Sequence, residues 1–172
     1  MAVNKQSVTV QEPGSVPGER TLSFSVNGRW QKVNATPTTR LVTILREELQ
    51  LTGTKISCEI GRCGACSVWM DGELINSCLT LAYQVEGREI TTIEGVGTLD
   101  KLDPVQEAFL QEGGFQCGYC TPGMIMAVKA LVKERPDPSE EEVEEALAGN
   151  LCRCTGYTGI HRAVQRVVKD LS

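Results

Sequence analysis

Apolar and polar residues alternate along TLSFSVNGRWQKVNA, residues 21–35, on both sides of Asn27-Gly28. An Asn-Gly pair between alternating runs predicts a β-hairpin, because both turn residues must adopt the left-handed backbone that these two tolerate best. The period then lengthens. In TTRLVTILREELQL, Leu41, Ile44, Leu45 and Leu49 recur at helical spacing and predict an amphipathic helix. SVWM and ELIN flank Asp71-Gly72 and predict a second hairpin, and REITTIEG predicts a further strand. Strands, one helix and a glycine- and cysteine-rich loop make the first half a small α+β unit with a mixed sheet.

The second half has helical periodicity. GVGTLDKLDP reads as the linker into it. Asp103-Pro104 offers a cap and a first-turn proline for a helix over PVQEAFLQEG, and Thr121-Pro122 does the same for GMIMAVKALVKER. Ser139 and Glu142 form a capping box for EEEVEEALAG, which Gly149 ends. IHRAVQRVVKDL supplies a fourth helix. Four helices with short connections predict a compact bundle. The acidic run Glu140 to Glu145 falls in a first helical turn and reads as a solvated face that suits the helix dipole.

Composition narrows the function classes. Apolar residues are 41% of the chain but aromatics only 5%, so the core is expected to be mainly aliphatic. A formal net charge of −5 argues against a nucleic-acid partner. No apolar run is long enough to predict a membrane span. The opening MAVNKQSVTVQEPGSVPGER is polar and lacks the apolar core or twin arginine of an export signal, so a cytoplasmic location is expected. Eight cysteines are too sparse for a disulfide-built miniprotein, and in a reducing compartment they point to metal or redox chemistry.

The cysteines fall into two groups of four. Cys58, Cys63, Cys66 and Cys78 have the spacing C-x4-C-x2-C-x11-C, the plant-type 2Fe-2S ferredoxin pattern. Four thiolates around two irons leave a net negative cluster. Such a cluster needs close backbone N–H groups, which Gly61, Gly64 and Ala65 permit, and Lys55 and Arg62 are placed to offset charge. Four-cysteine zinc sites usually combine two close pairs, and here the fourth ligand stands alone. A Rieske centre needs two histidines, and the single His161 reads as a surface or helix-packing residue. Cys117-x2-Cys120 and Cys152-x-Cys154 are less specific, and zinc, a disulfide or a redox dithiol stay open on spacing alone. Cys120 precedes a predicted helix start, whose partial positive charge favours an anionic thiolate cluster. Cys152 and Cys154 follow the Gly149 stop, so all four fall at one end of the bundle, with Gly118 and Gly156 leaving room for close backbone.

CEIGRCGAC with NSC, then QCGYCTPG, then NLCRCTGYTGI together resemble the iron–sulfur small subunit of the xanthine dehydrogenase/aldehyde oxidase family of molybdenum hydroxylases. The likeness runs from about residue 21 to about 170 and fills all eight ligand positions. It implies an α+β chain: an N-terminal plant-type ferredoxin-like β-grasp domain over 21–95, then an all-α four-helix bundle over 96–172, preceded by an extension over 1–20 that it does not cover. It implies two 2Fe-2S clusters. The one on Cys117, Cys120, Cys152 and Cys154 would be nearer molybdenum, and the one on Cys58, Cys63, Cys66 and Cys78 nearer flavin. It further implies that Gln116 hydrogen-bonds the pyranopterin of the molybdenum cofactor and that the Cys154 sulfur lies against the pterin amino group, as the matching residues do in that family.

The chain has no phosphate-binding loop and no dinucleotide fingerprint, and GVGTLD is not one. No substrate-converting site is expected in it. The resemblance implies a large molybdopterin-binding subunit, with the pterin in a dinucleotide form, and a medium FAD-binding subunit, assembled as a dimer of heterotrimers. In that setting the chain is an electron-transfer subunit between molybdopterin and FAD. A free-standing ferredoxin-like shuttle is the alternative, although it has no need of Gln116 or of the helical part. A zinc-bound structural module is a third class, which the colour of the protein distinguishes.

Overall fold

A computed structural model describes residues 18–98 and 100–171. Most of the extension expected over 1–20 therefore lies outside the described residues. Strands β1 (Arg20–Val26) and β2 (Arg29–Ala35) form the expected hairpin, with Asn27 and Gly28 at φ 51° and 76°. Strands β3 (Ser67–Met70) and β4 (Glu73–Asn76) form the second, turning at Asp71 (φ 52°) and Gly72 (φ 85°). Strand β5 (Glu89–Thr91) joins them into one sheet of order β2-β1-β5-β3-β4. The β1–β5 pair is parallel and the others antiparallel, so the sheet is mixed.

The amphipathic segment departs from the expected plain helix. Helix α1 (Leu41–Thr43) continues as a π-helical turn (Ile44–Glu48), in which Leu49 N–H reaches back to the Ile44 carbonyl. The widened turn still buries Leu41, Ile44 and Leu45 against Phe24, Val68 and Ile90 of the sheet, while Leu49 is only half-buried. The strand expected over REITTIEG ends at Thr91. Beyond it, Asn27 Oδ1 accepts the Thr92 N–H, and Ile93–Gly95 coil into a 3-10 turn.

Helices α2 (Pro104–Gln111), α3 (Thr121–Glu134), α4 (Glu140–Ala148) and α5 (Thr158–Leu171) share a second apolar core around Phe109, Met124, Val128, Leu147, Ile160 and Val164. The α2 and α4 starts form as the sequence predicts. Asp103 caps Val105 N–H, with Gln106 closing the box, and Ser139 pairs reciprocally with Glu142. At α3 the expected cap is displaced: Cys120 is the capping residue, with no side-chain hydrogen bond, and the Thr121 hydroxyl is buried without a partner. Helix α5 begins at Thr158, two residues before the predicted Ile160 start. Helix α3 packs on β3 and β4 and so joins the two cores. Among the described residues no helix is long and apolar enough to cross a membrane.

Candidate functional site

The loop between α1 and β3 curls tightly because Glu59, Gly61 and Gly64 take positive φ (56°, 72° and 66°). The curl turns a backbone donor toward sulfur: Arg62 N–H points at Cys58 Sγ, 3.3 Å away. Strand β4 delivers Cys78 to Cys66, since Ser77 N–H and hydroxyl both donate to the Cys66 carbonyl (3.3 and 2.7 Å). Asn76 braces the loop through the Gly61 carbonyl (3.4 Å) and contacts Cys66 Sγ at 3.8 Å. The Ile60 N–H, with help from Arg62 and Cys63, outweighs desolvation and brings the Cys58 thiol down to about 7. Burial, with the neighbouring Cys78 thiol, pushes Cys66 up to about 11. Cys66 and Cys78 pack together beside Val42, and Cys63 is the thiol neighbour that helps to lower Cys58.

The second group is built the same way from distant segments. Cys117 sits in a turn beside Gly118 (φ 77°), Cys120 caps α3, and Cys152 and Cys154 lie in the loop after α4. Cys154 Sγ is 3.6 Å from Cys117 Sγ, and the Cys120 and Cys152 thiols face each other. Burial, then Cys152, pushes Cys120 up to about 12. Burial pushes Cys152 up as well, but the Thr155 hydroxyl and N–H, at 3.1 and 3.5 Å, with the Cys154 N–H, bring it down to about 7. The Cys117 thiol raises Cys154. Tyr157 holds this loop, its hydroxyl accepting from Cys152 N–H at 2.7 Å.

All eight thiols are free. Four thiols per group, with backbone donors aimed at sulfur, suit a binuclear cluster that takes two thiolates per iron. The residues present therefore fit a 2Fe-2S group at each place.

The two groups are neighbours. Cys58, Cys63, Cys117, Cys120, Cys152 and Cys154 line one cavity of about 590 Å³. Leu151 N–H donates to the Cys63 carbonyl at 3.0 Å, and the Tyr119 hydroxyl to the Ile56 carbonyl at 2.5 Å. Tyr119, Leu151 and Tyr157 carry no signal of these roles in their spacing, because each partner is a backbone group. Gln116 is exposed beside Cys117 and makes no hydrogen bond among the described residues. Lys55 ties its ammonium to the Thr52 carbonyl (2.8 Å), and Arg62 serves through its backbone N–H. His161 is half-buried on α5 in a groove with Val143 and Val164.

Two family models match in tandem: "2Fe-2S iron-sulfur cluster binding domain" over residues 24–92 and "[2Fe-2S] binding domain" over residues 92–165. The chain is 57% identical over 164 residues to a probable xanthine dehydrogenase subunit from Bacillus subtilis (strain 168), covering 95% of this chain and 94% of that protein. It is 45% identical over 149 residues to the nicotinate dehydrogenase small FeS subunit of Eubacterium barkeri, covering 87% of this chain and 95% of that one. Among solved structures, quinoline 2-oxidoreductase from Pseudomonas putida 86 superposes with a TM-score of 0.85 at 42% identity, over 90% of this chain and 96% of that one. Cysteine-rich loops in the midst of such likeness leave one assignment: the chain belongs to the 2Fe-2S small subunits of the xanthine dehydrogenase/aldehyde oxidase family of molybdenum hydroxylases, and so is an oxidoreductase subunit.

Proposed function

We propose that the chain holds two 2Fe-2S clusters, one on Cys58, Cys63, Cys66 and Cys78 and one on Cys117, Cys120, Cys152 and Cys154, and carries electrons from a molybdopterin centre to FAD. The observation that carries this reading is geometric: Cys58, Cys63, Cys117, Cys120, Cys152 and Cys154 gather around one cavity, Cys66 packs against Cys78 beside it, and backbone N–H groups point at the Cys58 and Cys152 sulfurs. When bound, each cluster supplies a one-electron store, so the two electrons of a hydroxylation would pass singly. The protein's own part is to hold eight thiolates, to aim the Arg62 and Thr155 N–H groups at sulfur, and to keep the two loops in contact through Cys63 and Leu151. In this reading the sheet portion, residues 21–95, is a ferredoxin-like β-grasp and residues 96–172 a four-helix bundle. A large molybdopterin-binding subunit, with its pterin in a dinucleotide form, and a medium FAD-binding subunit complete a heterotrimer that pairs as a dimer. The molybdopterin subunit faces the exposed Cys117 and Cys154, where the unpaired Gln116 amide offers donors and an acceptor to a pterin edge.

The test is metal analysis with spectroscopy. Protein prepared without air should contain about four irons and four acid-labile sulfides per chain and, when reduced, give two distinct paramagnetic resonance signals. Stoichiometric zinc without iron would sink the proposal.

A further inference from the structure

Three backbone segments meet where the two cysteine groups adjoin, and none contributes a thiol to the contact. Gly64, between Cys63 and Cys66, is buried with φ +66°. A Cβ there would lie 2.1 Å from Asn150 Oδ1 and 2.6 Å from the Gly149 carbonyl oxygen. Gly123, in the first turn of α3 just after Cys120, would place a Cβ 2.1 Å from the Gly64 carbonyl oxygen and 3.0 Å from its carbon. Asn150, two residues before Cys152, is 4% exposed, and its Oδ1 has no hydrogen-bond partner. A buried oxygen left unpaired destabilises a fold, so its place here is not explained by stability. Shape explains it: the Asn150 side chain fills the space that the missing Gly64 side chain leaves.

We propose that this seam of Gly64, Gly123 and Asn150 sets the separation of the two cluster sites, with Asn150 as a positioning residue. The inference rests on the two-cluster reading above. The Gly64–Gly123 contact is backbone on backbone and has no rotamers to yield, and close-packed interiors transmit a small displacement instead of absorbing it. Each strip of the seam lies within three residues of a candidate ligand, so a shift at the seam moves thiols directly. The Leu151 N–H to Cys63 carbonyl bond lies in the same contact and would shift with it.

The experiment uses the full-length chain carrying both clusters, fully reduced with dithionite, and reads the magnetic splitting between them by paramagnetic resonance. Gly123→Ala introduces a Cβ where ordinary contact begins at 3.4 Å, so the strips must part by roughly an ångström. The splitting should shrink while iron content and the signal positions of the individual clusters hold. Asn150→Ala removes the filler, so the strips draw together and the splitting should grow. Gly149→Ala is the control, because a Cβ there meets nothing within 4 Å, and it should match the parent. Unchanged splitting in Gly123→Ala or Asn150→Ala with both clusters present overturns the proposal. Should Gly123→Ala fail to fold, Asn150→Ala decides alone. Loss of iron from Asn150→Ala would assign the seam to cluster retention and also overturn it. A parent protein lacking one of the two signals would refute the two-cluster reading itself, an outcome distinct from these.

Discussion

Gln116 and Cys154 both stand at the exposed edge of the second cysteine group, yet their chemistry differs. Cys154 lies 3.6 Å from Cys117 and belongs to a thiol pair, whereas the Gln116 amide has no partner among the described residues. Cys154→Ser should therefore lose iron from the helical half and abolish electron transfer. Gln116→Leu keeps similar bulk and every thiol, so iron should stay at the parent level. On the pterin contact proposed above, it should leave pterin groups unpaired in the assembled complex, at a cost of about 1–3 kcal/mol seen as weaker cofactor retention or slower cluster reduction by substrate. Iron analysis and the cluster-reduction rate on both variants check this. Iron loss in Gln116→Leu would make the residue a loop brace, and no change in either measure would make it a bystander.

Helix starts dominate at the scale of elements. Asp103 caps α2 through Val105 N–H at 3.0 Å, and its other oxygen takes Lys129 Nζ of α3 at 2.5 Å, so one carboxylate ties two helices. Both side chains of that ion pair are largely shielded, 22% and 13% exposed, so screening by water is modest. Asp103→Ala should cost about 2–4 kcal/mol in denaturant unfolding, the sum of a lost cap and a charge-assisted bond. Asp103→Asn, which keeps a cap acceptor, should cost about half as much. At α4 the Ser139 N–H, then the Ser139 hydroxyl and Arg135, hold the Glu142 carboxyl below its usual 4.5. A lowered folded value means that its stabilisation is present above pH 4.5 and is lost as pH falls through the lower value. Glu142→Gln should therefore flatten the acid limb of a stability–pH curve below pH 4.5 and leave its slope above unchanged. Helix α3 differs: Cys120 occupies the cap position without a side-chain bond and itself lines the cysteine cavity.

The sheet and the helices each have an apolar core, around Phe24 and around Phe109, and α3 packed on β3 and β4 joins them. Trp69 of β3 donates its indole N–H to the Met126 carbonyl of α3 at 3.2 Å, with Lys129 and Lys133 ammoniums 6.0 and 5.5 Å from its ring. Trp69→Phe keeps a ring but loses that donor and weakens both cation contacts, so it should cost about 1–2 kcal/mol in denaturant unfolding. A ligand that binds only the native chain stabilises it, so stripping iron with a chelator under reducing conditions should lower the melting temperature. An unshifted melting curve after complete iron loss would show that the cysteine loops hold their shape without metal.

Much of this was legible along the chain because it depends on near neighbours. Asn27-Gly28 and Asp71-Gly72 mark their turns, Asp103-Pro104 and Ser139 with Glu142 mark helix starts, and cysteine spacing sets two groups apart. Turn and cap chemistry acts within four residues, so a linear reading captures it. The π turn after Thr43, the short β5 and the Cys120 cap were not legible, since packing and the Asn27–Thr92 bond override local preference there. The gathering of Cys117, Cys120, Cys152 and Cys154 at one bundle end was legible, but not that Cys154 meets Cys117, nor the fit of Asn150 against Gly64. Those contacts join segments whose separation in sequence says nothing of their separation in space. Chain folding alone brings them together: helix packing sets Cys117 beside Cys154, and α3 packed on β3 sets the Gly64 loop beside Asn150.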